Sequence, residues 1–252
     1  AFSDQLNMSL SGRYNIAKVD LSGQHTDFTA PPNSDPNNGL LNPNSLNGNH
    51  EYKRFNPAVG LNYNPTRSLG FYGGYNEGMR APTPIELSCA DPKYPCALPT
   101  GFNSDPDLKM VVAKTWEAGM RGKLAEDVSW NVGIYDTKTD NDIQFIASNY
   151  VQGYFQNVGQ TERKGIEIGL HGKLDKLTFA ANYGFVDATY ETDFWVTAAS
   201  NSSAYKNVLN PNDPMNGQIH VNKGNRIPGI ARQTLKLRST YEITPEWNIG
   251  GN

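Results

Sequence analysis

No run of eighteen apolar residues occurs anywhere in this chain, so it carries no transmembrane helix. Charge is scarce: charged residues make up 19% and the formal net charge is −3, against about 25% charged in ordinary domains. With a pI near 5.8, there is no electrostatic footprint for nucleic acid. The first residues show no charged stretch followed by an apolar one, so no signal peptide is visible. Histidine is limited to His25, His50, His171 and His220. Three of these read as residues of polar loops and one as a strand end. No Ser–His pair can be placed on one face, so no catalytic residue is nominated. Asn210–Gly217 (NPNDPMNG) lacks the carboxylates and closing Glu of a calcium loop. Neither a metal ligand set nor a cofactor is assigned.

What the chain has instead is 28 Asn, 24 Gly, 16 Pro and 13 Tyr among 252 residues, the chemistry of strands and turns. The informative pattern is period 2, which separates the two faces of a strand. Val128, Trp130, Val132 and Ile134 alternate with Ser129, Asn131, Gly133 and Tyr135. Phe55, Val59, Leu61 and Tyr63 alternate with Arg54, Ala58, Gly60, Asn62 and Asn64. Leu177, Phe179, Ala181, Tyr183 and Phe185 do the same against Thr178, Ala180, Asn182, Gly184 and Val186. The pattern predicts strands at 6–21, 51–64, 68–80, 112–124, 128–142, 160–172, 177–190, 228–242 and 246–252.

The connections alternate as well. Short turns at 64–68, 124–128, 173–176 and 242–246 interleave with long polar connections at 22–50, 81–111, 143–159 and 191–227. Long strands with all long connections at one end are the pattern of an outer-membrane β-barrel. Aromatics near the short turns (Tyr63, Phe71, Trp130, Phe179, Tyr241 and Trp247) would form an interfacial girdle. Arg13, Arg54, Arg80, Glu117, Arg121, Arg163, Glu167, Lys236 and Arg238 all fall on the polar parity, facing a wet lumen. A charge on the lipid face would cost about 2–4 kcal/mol at mid-depth. A passive porin and a soluble secreted β-sandwich adhesin remain as alternatives. Cys89 and Cys96 lie in a proline-rich segment, SCADPKYPCALP, whose spacing fits neither a redox motif nor a zinc site. Read from the residues, they close a small disulfide loop in an oxidising compartment, the alternative being two free thiols.

Four segments carry a resemblance. YNEGMRAPTPIEL (75–87), SDPDLKMVVAKTWEAGMRGKL (104–124), YFQNVGQTERKGIEIGLHG (154–172) and VNKGNRIPGIARQTLKLRSTYEITPEW (221–247) follow one another in this order. They resemble the barrel strands of TonB-dependent outer-membrane receptors. In the second segment Met110 and Val111 stand where the family commonly has Pro-Glu. The resemblance implies an antiparallel transmembrane barrel of about 22 strands, an N-terminal plug domain and a short box that engages TonB. Nothing here looks like the plug or the box, and Asn252 is not the family's terminal aromatic. The expectation is therefore a partial barrel: residues 1–252 supply about nine strands, with the plug and the C-terminal strands lying elsewhere.

The implied function is uptake of a scarce ligand, such as a ferric siderophore or another iron complex, across the bacterial outer membrane. The implied partners are that ligand, the TonB complex and outer-membrane lipid, with no bond chemistry. Arg80 and Arg163 sit near the outer end of their strands and could grip an anionic ligand bidentately. Tyr94, Tyr150 and Tyr154 are the loop aromatics nominated beside them.

Overall fold

The computed structural model describes residues 5–22, 24–25, 44–45, 47–90, 96, 107–147, 152–198 and 201–252. In chain order the elements begin with β1 (Leu6–Leu21), β2 (Gln24–His25), β3 (Asn44–Ser45), β4 (Gly48–Thr66) and β5 (Leu69–Arg80). A single helical turn, α1 (Pro84–Leu87), precedes β6 (Val111–Ala125), β7 (Val128–Asp140), β8 (Ile143–Ala147) and β9 (Gly153–Asn157). Then come β10 (Thr161–Leu174), β11 (Leu177–Tyr190), β12 (Phe194–Thr197), β13 (Gln218–Val221), β14 (Gln233–Thr244) and β15 (Trp247–Gly251).

Nine strands form one antiparallel sheet in the order β1-β4-β5-β6-β7-β10-β11-β14-β15, with β1 and β15 at its edges. All nine are the strands that alternation predicts. The short turns are two residues each at Arg67–Ser68, Glu126–Asp127 and Asp175–Lys176. Asp175 takes φ 50°, the left-handed conformation that tight hairpins need and Asp tolerates. Several boundaries differ from expectation: β4 is longer at both ends than 51–64, and β7 stops at Asp140 rather than 142. Residues 228–232 are not strand, because Gly229 turns the chain at φ 78°. The long connections are also less irregular than they read: β2–β3, β8–β9 and β12–β13 are three further hairpins within them. His25, His50 and His220, expected in loops, lie in β2, β4 and β13.

The register shows why the two parities differ so sharply. Outward positions run Tyr63 to Phe55 on β4, Leu124 to Trp116 on β6, Leu174 to Ile166 on β10 and Leu177 to Phe185 on β11. Each run spans about nine residues, roughly 30 Å of strand. A tilt near 40° lowers that to about 23 Å, close to the ~25 Å apolar band of a membrane barrel. Trp116 is 63% exposed and Leu235 64%, so among the described residues no second sheet covers this face, as a soluble sandwich would require. Above the band the same parity turns charged in step across the sheet: Lys53, Glu77, Lys114, Asp136, Lys164 and Asp187. Pairs such as Lys53–Glu51 (2.6 Å), Lys114–Asp140 (2.7 Å) and Lys164–Glu162 (2.9 Å) form there. Exposed pairs of this kind stabilise little; their value is to mark the height at which hydrocarbon ends.

On the inner face small residues let tyrosines lie flat. A Cβ on Gly119 would meet the Tyr72 ring at 2.5 Å, and one on Gly133 would meet the Tyr72 hydroxyl at 2.8 Å. Buried apolar residues gather elsewhere, where the long connections fold over the sheet's end. Leu87, Ala90, Leu108, Val111 and Ile143 make one cluster, and Val158, Ala188, Tyr190 and Ile227 another. If the outward band faces hydrocarbon, Ile168→Arg should cost the full-length protein about 2–4 kcal/mol of folding free energy in bilayers. Thr178→Arg on the inward parity should cost under about 1 kcal/mol. Equal costs in a denaturant titration would show that the face is not lipid-exposed.

Candidate functional site

The rim where strands pass into the long connections is built from the segments that sequence singles out. After β5, Thr83 caps α1: its hydroxyl accepts from the Glu86 amide, while the Glu86 carboxylate accepts from the Thr83 amide at 2.7 Å. Pro84 at the first helical position needs no donor there. Arg80 reaches the same carboxylate at 2.6 Å. Burial raises the Glu86 carboxyl, but the bonds from Arg80 and Thr83 outweigh it and hold the group below its ordinary value. The turn delivers Leu87, fully buried, into the first cluster.

Cys89 and Cys96 are joined in a disulfide, with their Cα atoms 5.6 Å apart. The loop it closes is fastened to the next connection. Cys96 and Gly153 exchange backbone hydrogen bonds of 2.7 and 3.0 Å, and the Phe155 amide donates to the Cys89 carbonyl at 2.7 Å. Only glycine fits at 153, since a Cβ would meet the Ile146 carbonyl at 2.6 Å.

Asn157 ties three segments together. Its amide nitrogen donates to the Lys109 carbonyl at 3.1 Å and the Asn141 carbonyl at 2.7 Å, and its oxygen accepts from the Lys109 amide at 2.9 Å. Beside it Asp142, 8% exposed, accepts from the Thr161 hydroxyl (2.8 Å), Arg163 (3.1 Å) and Gln144 (3.1 Å). Val158 is buried, and Gly159 at φ 84° turns the chain past Thr192. Across the rim, the Ile227 amide donates to the Ala188 carbonyl at 2.9 Å, and Ile227 fills the second cluster.

Of the nominated ligand contacts, Arg80, Arg163 and Tyr154 fall into this frame. Arg80 is committed to Glu86, and Arg163 to Asp142 and Thr161. β5 and β10 stand three strand spacings apart, about 14 Å. Tyr154 is 2% exposed in β9. Tyr94 and Tyr150 lie outside the described residues. Asp142 and Asn157, which organise the rim, escaped the sequence reading. Asn157 stands in the quoted N-V-G run, which reads there as a strand signature rather than as a fastener.

The surface open to a solute is the inner face. All nine charges expected on the inward parity are there by register. Glu117 and Arg121 border a trough of about 350 Å³ with Tyr72, Asn76 and Asn62. Glu167 and Lys236 border another of about 400 Å³ with Asn131, Tyr135 and Asn182. Between β4 and β5, pairing ends at Ala58↔Asn76, and Arg54 closes the gap through an ion pair with Glu77.

A family description, TonB dependent receptor-like, beta-barrel, matches residues 1–252. The chain belongs to the TonB-dependent receptor β-barrel family. It is 24% identical over 201 residues to a probable TonB-dependent siderophore receptor, PiuA, of Acinetobacter baumannii, covering 76% of this chain and 23% of that protein. The chain thus spans about a quarter of that relative's length. Among solved structures it superposes on the ferric-catecholate import receptor Fiu from K12 E. coli with a TM-score of 0.66 at 14% identity, over 99% of this chain and 31% of that one. The ferric yersiniabactin uptake receptor FyuA from Yersinia pestis gives 0.62 at 13% identity, over 99% and 31%. At such identities these structures speak for the fold alone.

Within this TonB-dependent receptor barrel, the recognisable segments combine sheet strands with rim fasteners such as Glu86 and Asn157. Asn157→Ala should destabilise the full-length receptor by about 2–3 kcal/mol, the sum of its lost hydrogen bonds, read as a lower unfolding midpoint. A change under about 0.5 kcal/mol would show that the staple is idle. The Glu86 contribution is complete above the ordinary carboxylate value of 4.5 and is lost as pH falls through the group's lowered value. Amide protection at Leu87 and Ser88 should accordingly drop on acidification below 4.5 in the wild type. Glu86→Gln should show the weak protection at every pH.

Proposed function

We propose that residues 1–252 form part of the barrel domain of an outer-membrane TonB-dependent receptor that takes up a ferric siderophore or similar iron complex. The observation that carries the reading is the register-aligned outward band, apolar for about 23 Å and charged above it, on a chain of this family. Such a surface is satisfied by lipid and by little else. Unpaired strand edges are not tolerated in hydrocarbon, so β1 and β15 would be completed by strands outside this chain, and a plug domain would occupy the lumen. The long connections, fastened into a rim, would meet the ligand on the outer side. TonB would supply the energy through the protein's N-terminal part. No bond is made or broken in this scheme, and the names of PiuA, Fiu and FyuA support iron complexes as the cargo.

Deleting the gene from its host should slow growth in iron-limited medium, and the full-length gene should restore both growth and uptake of radiolabelled iron. Restoration should fail when TonB is absent. Uptake that proceeds unchanged without TonB would sink the receptor reading and favour a passive porin.

A further inference from the structure

The ladder between β4 and β5 stops early, and one residue accounts for it. The Asn64 amide donates to the Gln5 carbonyl at 2.8 Å, so even residues of β4 turn their backbone groups toward β1 and odd ones toward β5. The Val59 carbonyl accordingly faces Gly74 of β5. Pro57 is the next odd residue toward the rim, and it has no N–H to give. Pairing with β5 ends beside it, at Ala58↔Asn76. From there β4 runs on to Leu21↔Gly48 paired with β1 alone, while β5 runs on to Arg80↔Val111 paired with β6. The fork opens at Glu77, the first outward charge on β5. Its unpaired backbone therefore lies at the height where the outward face turns charged, clear of hydrocarbon.

Above the fork the β1–β4 hairpin leans on the connection that follows β5. The Tyr52 hydroxyl donates to the Leu108 carbonyl at 3.1 Å, His50 faces Asp107 at 3.4 Å, and Val19 and Leu21 pack on the cluster around Leu87. Across the fork itself Arg54 pairs with Glu77, whose other oxygen accepts from the Tyr75 hydroxyl at 2.5 Å. One group works against closure. Asn56, 6% exposed, sits at the fork beside Pro57, and among the described residues neither its amide nitrogen nor its oxygen finds a partner. Arg54 Nε is buried and unpartnered too. Burying such groups costs free energy that hydration would recover. On the lumen side a Cβ on Gly78 would meet nothing within 4 Å, so nothing abuts β5 there.

We propose that the hairpin above Pro57, residues 13–21 with 48–56, is a flap over the rim, hinged at Pro57 and latched by Arg54 and Glu77. Its two strands swing together, because their register is unbroken from Leu6↔Tyr63 to Leu21↔Gly48. In the closed position Asn56 is dry. As the flap lifts, water reaches that amide and the free edges of β4 and β5. The latch and the Tyr52 clasp thus oppose hydration, and a balance of this kind is biased by small differences in contact. Service of the flap in uptake rests on the receptor reading; the hinge does not.

The test is a pair of distances in the full-length receptor, read by electron spin resonance between labels on introduced cysteines. Cys89 and Cys96, being joined, take no label. One pair, Lys18→Cys with Lys138→Cys, reports from above the fork; the other, Leu10→Cys with Lys138→Cys, from below it. All three positions are exposed. Glu77→Ala should raise the long-distance population of the first pair at least about fivefold. Asn56→Val should lower it, since the dry amide is gone. Pro57→Val should keep the first pair short even with Glu77→Ala, by returning an N–H on the β5 side. The second pair should be the same in wild type and all three variants. Lys18 distances that ignore Glu77→Ala and Asn56→Val overturn the flap and assign the hairpin's support to the strand that completes the sheet beyond β1. A longer distance in Asn56→Val also overturns it, because Asn56 would then be a fastener. So does a variant that broadens both pairs, which marks a loosened wall rather than a hinge. TonB-dependent iron uptake reads the receptor separately: a moving flap without uptake keeps the hinge and removes the receptor.

Discussion

The lateral backbone hydrogen bond is the constraint on which the rest of this molecule depends. In hydrocarbon no water can satisfy an amide or carbonyl, so each strand must give both to its neighbours. That requirement produces long strands, a continuous ladder from β1 to β15 and two-residue turns at one end. It also frees the side chains from any duty to hold the sheet together. They can then sort by solvent: outward Ile134, Ile166 and Phe185 toward lipid, inward Gly133, Gly165 and Gly184 toward water. A soluble sheet of this size would need its apolar face covered. Here that face is bare, and the low mean hydropathy of −0.59 is the average of two faces and four polar connections rather than the property of either.

Because the sheet needs no core, conventional packing is displaced to the rim. Leu87, Val158, Cys89 and Cys96 are among the most buried side chains, and all lie where connections leave or re-enter the strands. The fastening there is mixed. Asn157 and Asp142 bind backbone and side chains across connections, the disulfide closes one loop onto β9, and α1 seats Leu87 through an ion-paired cap. Neighbouring connections thereby share contacts, so a displacement of one is felt by the next. On the proposed receptor reading such coupling would hold the outer surface in a fixed shape, since preorganised contacts lose less entropy on binding.

The strands were legible in the sequence because their signal repeats. Every second residue from Leu177 to Phe185 reports the same solvent, and nine such runs leave little room for another fold. The rim was only half legible. Cys89 and Cys96 announced their bond by spacing and context, and the four family-like segments announced a location. The partners of Arg80 and Arg163 lay hidden: Glu86 is six residues from Arg80, but Asp142 meets Arg163 across the mouth of the β8–β9 hairpin. Parity places a charge on a face without saying what stands opposite it. The hairpins β8–β9 and β12–β13 were lost for a related reason. Short strands that lie on other loops bury little of either face, so alternation is weak, and polar connections such as 191–227 read as featureless.

The pairing of charges then separates structure from function more cleanly than their number does. A cation buried at a rim without a carboxylate would cost several kcal/mol, and Arg163, 30% exposed by side chain, has Asp142 beside it. Its role in the fold is accounted for by that contact. Arg121, by contrast, reaches only the Asn62 side-chain oxygen at 3.4 Å and the Tyr72 ring among the described residues. Position within a recognisable segment therefore does not by itself separate a rim fastener such as Arg163 from a charge without a carboxylate beside it, such as Arg121.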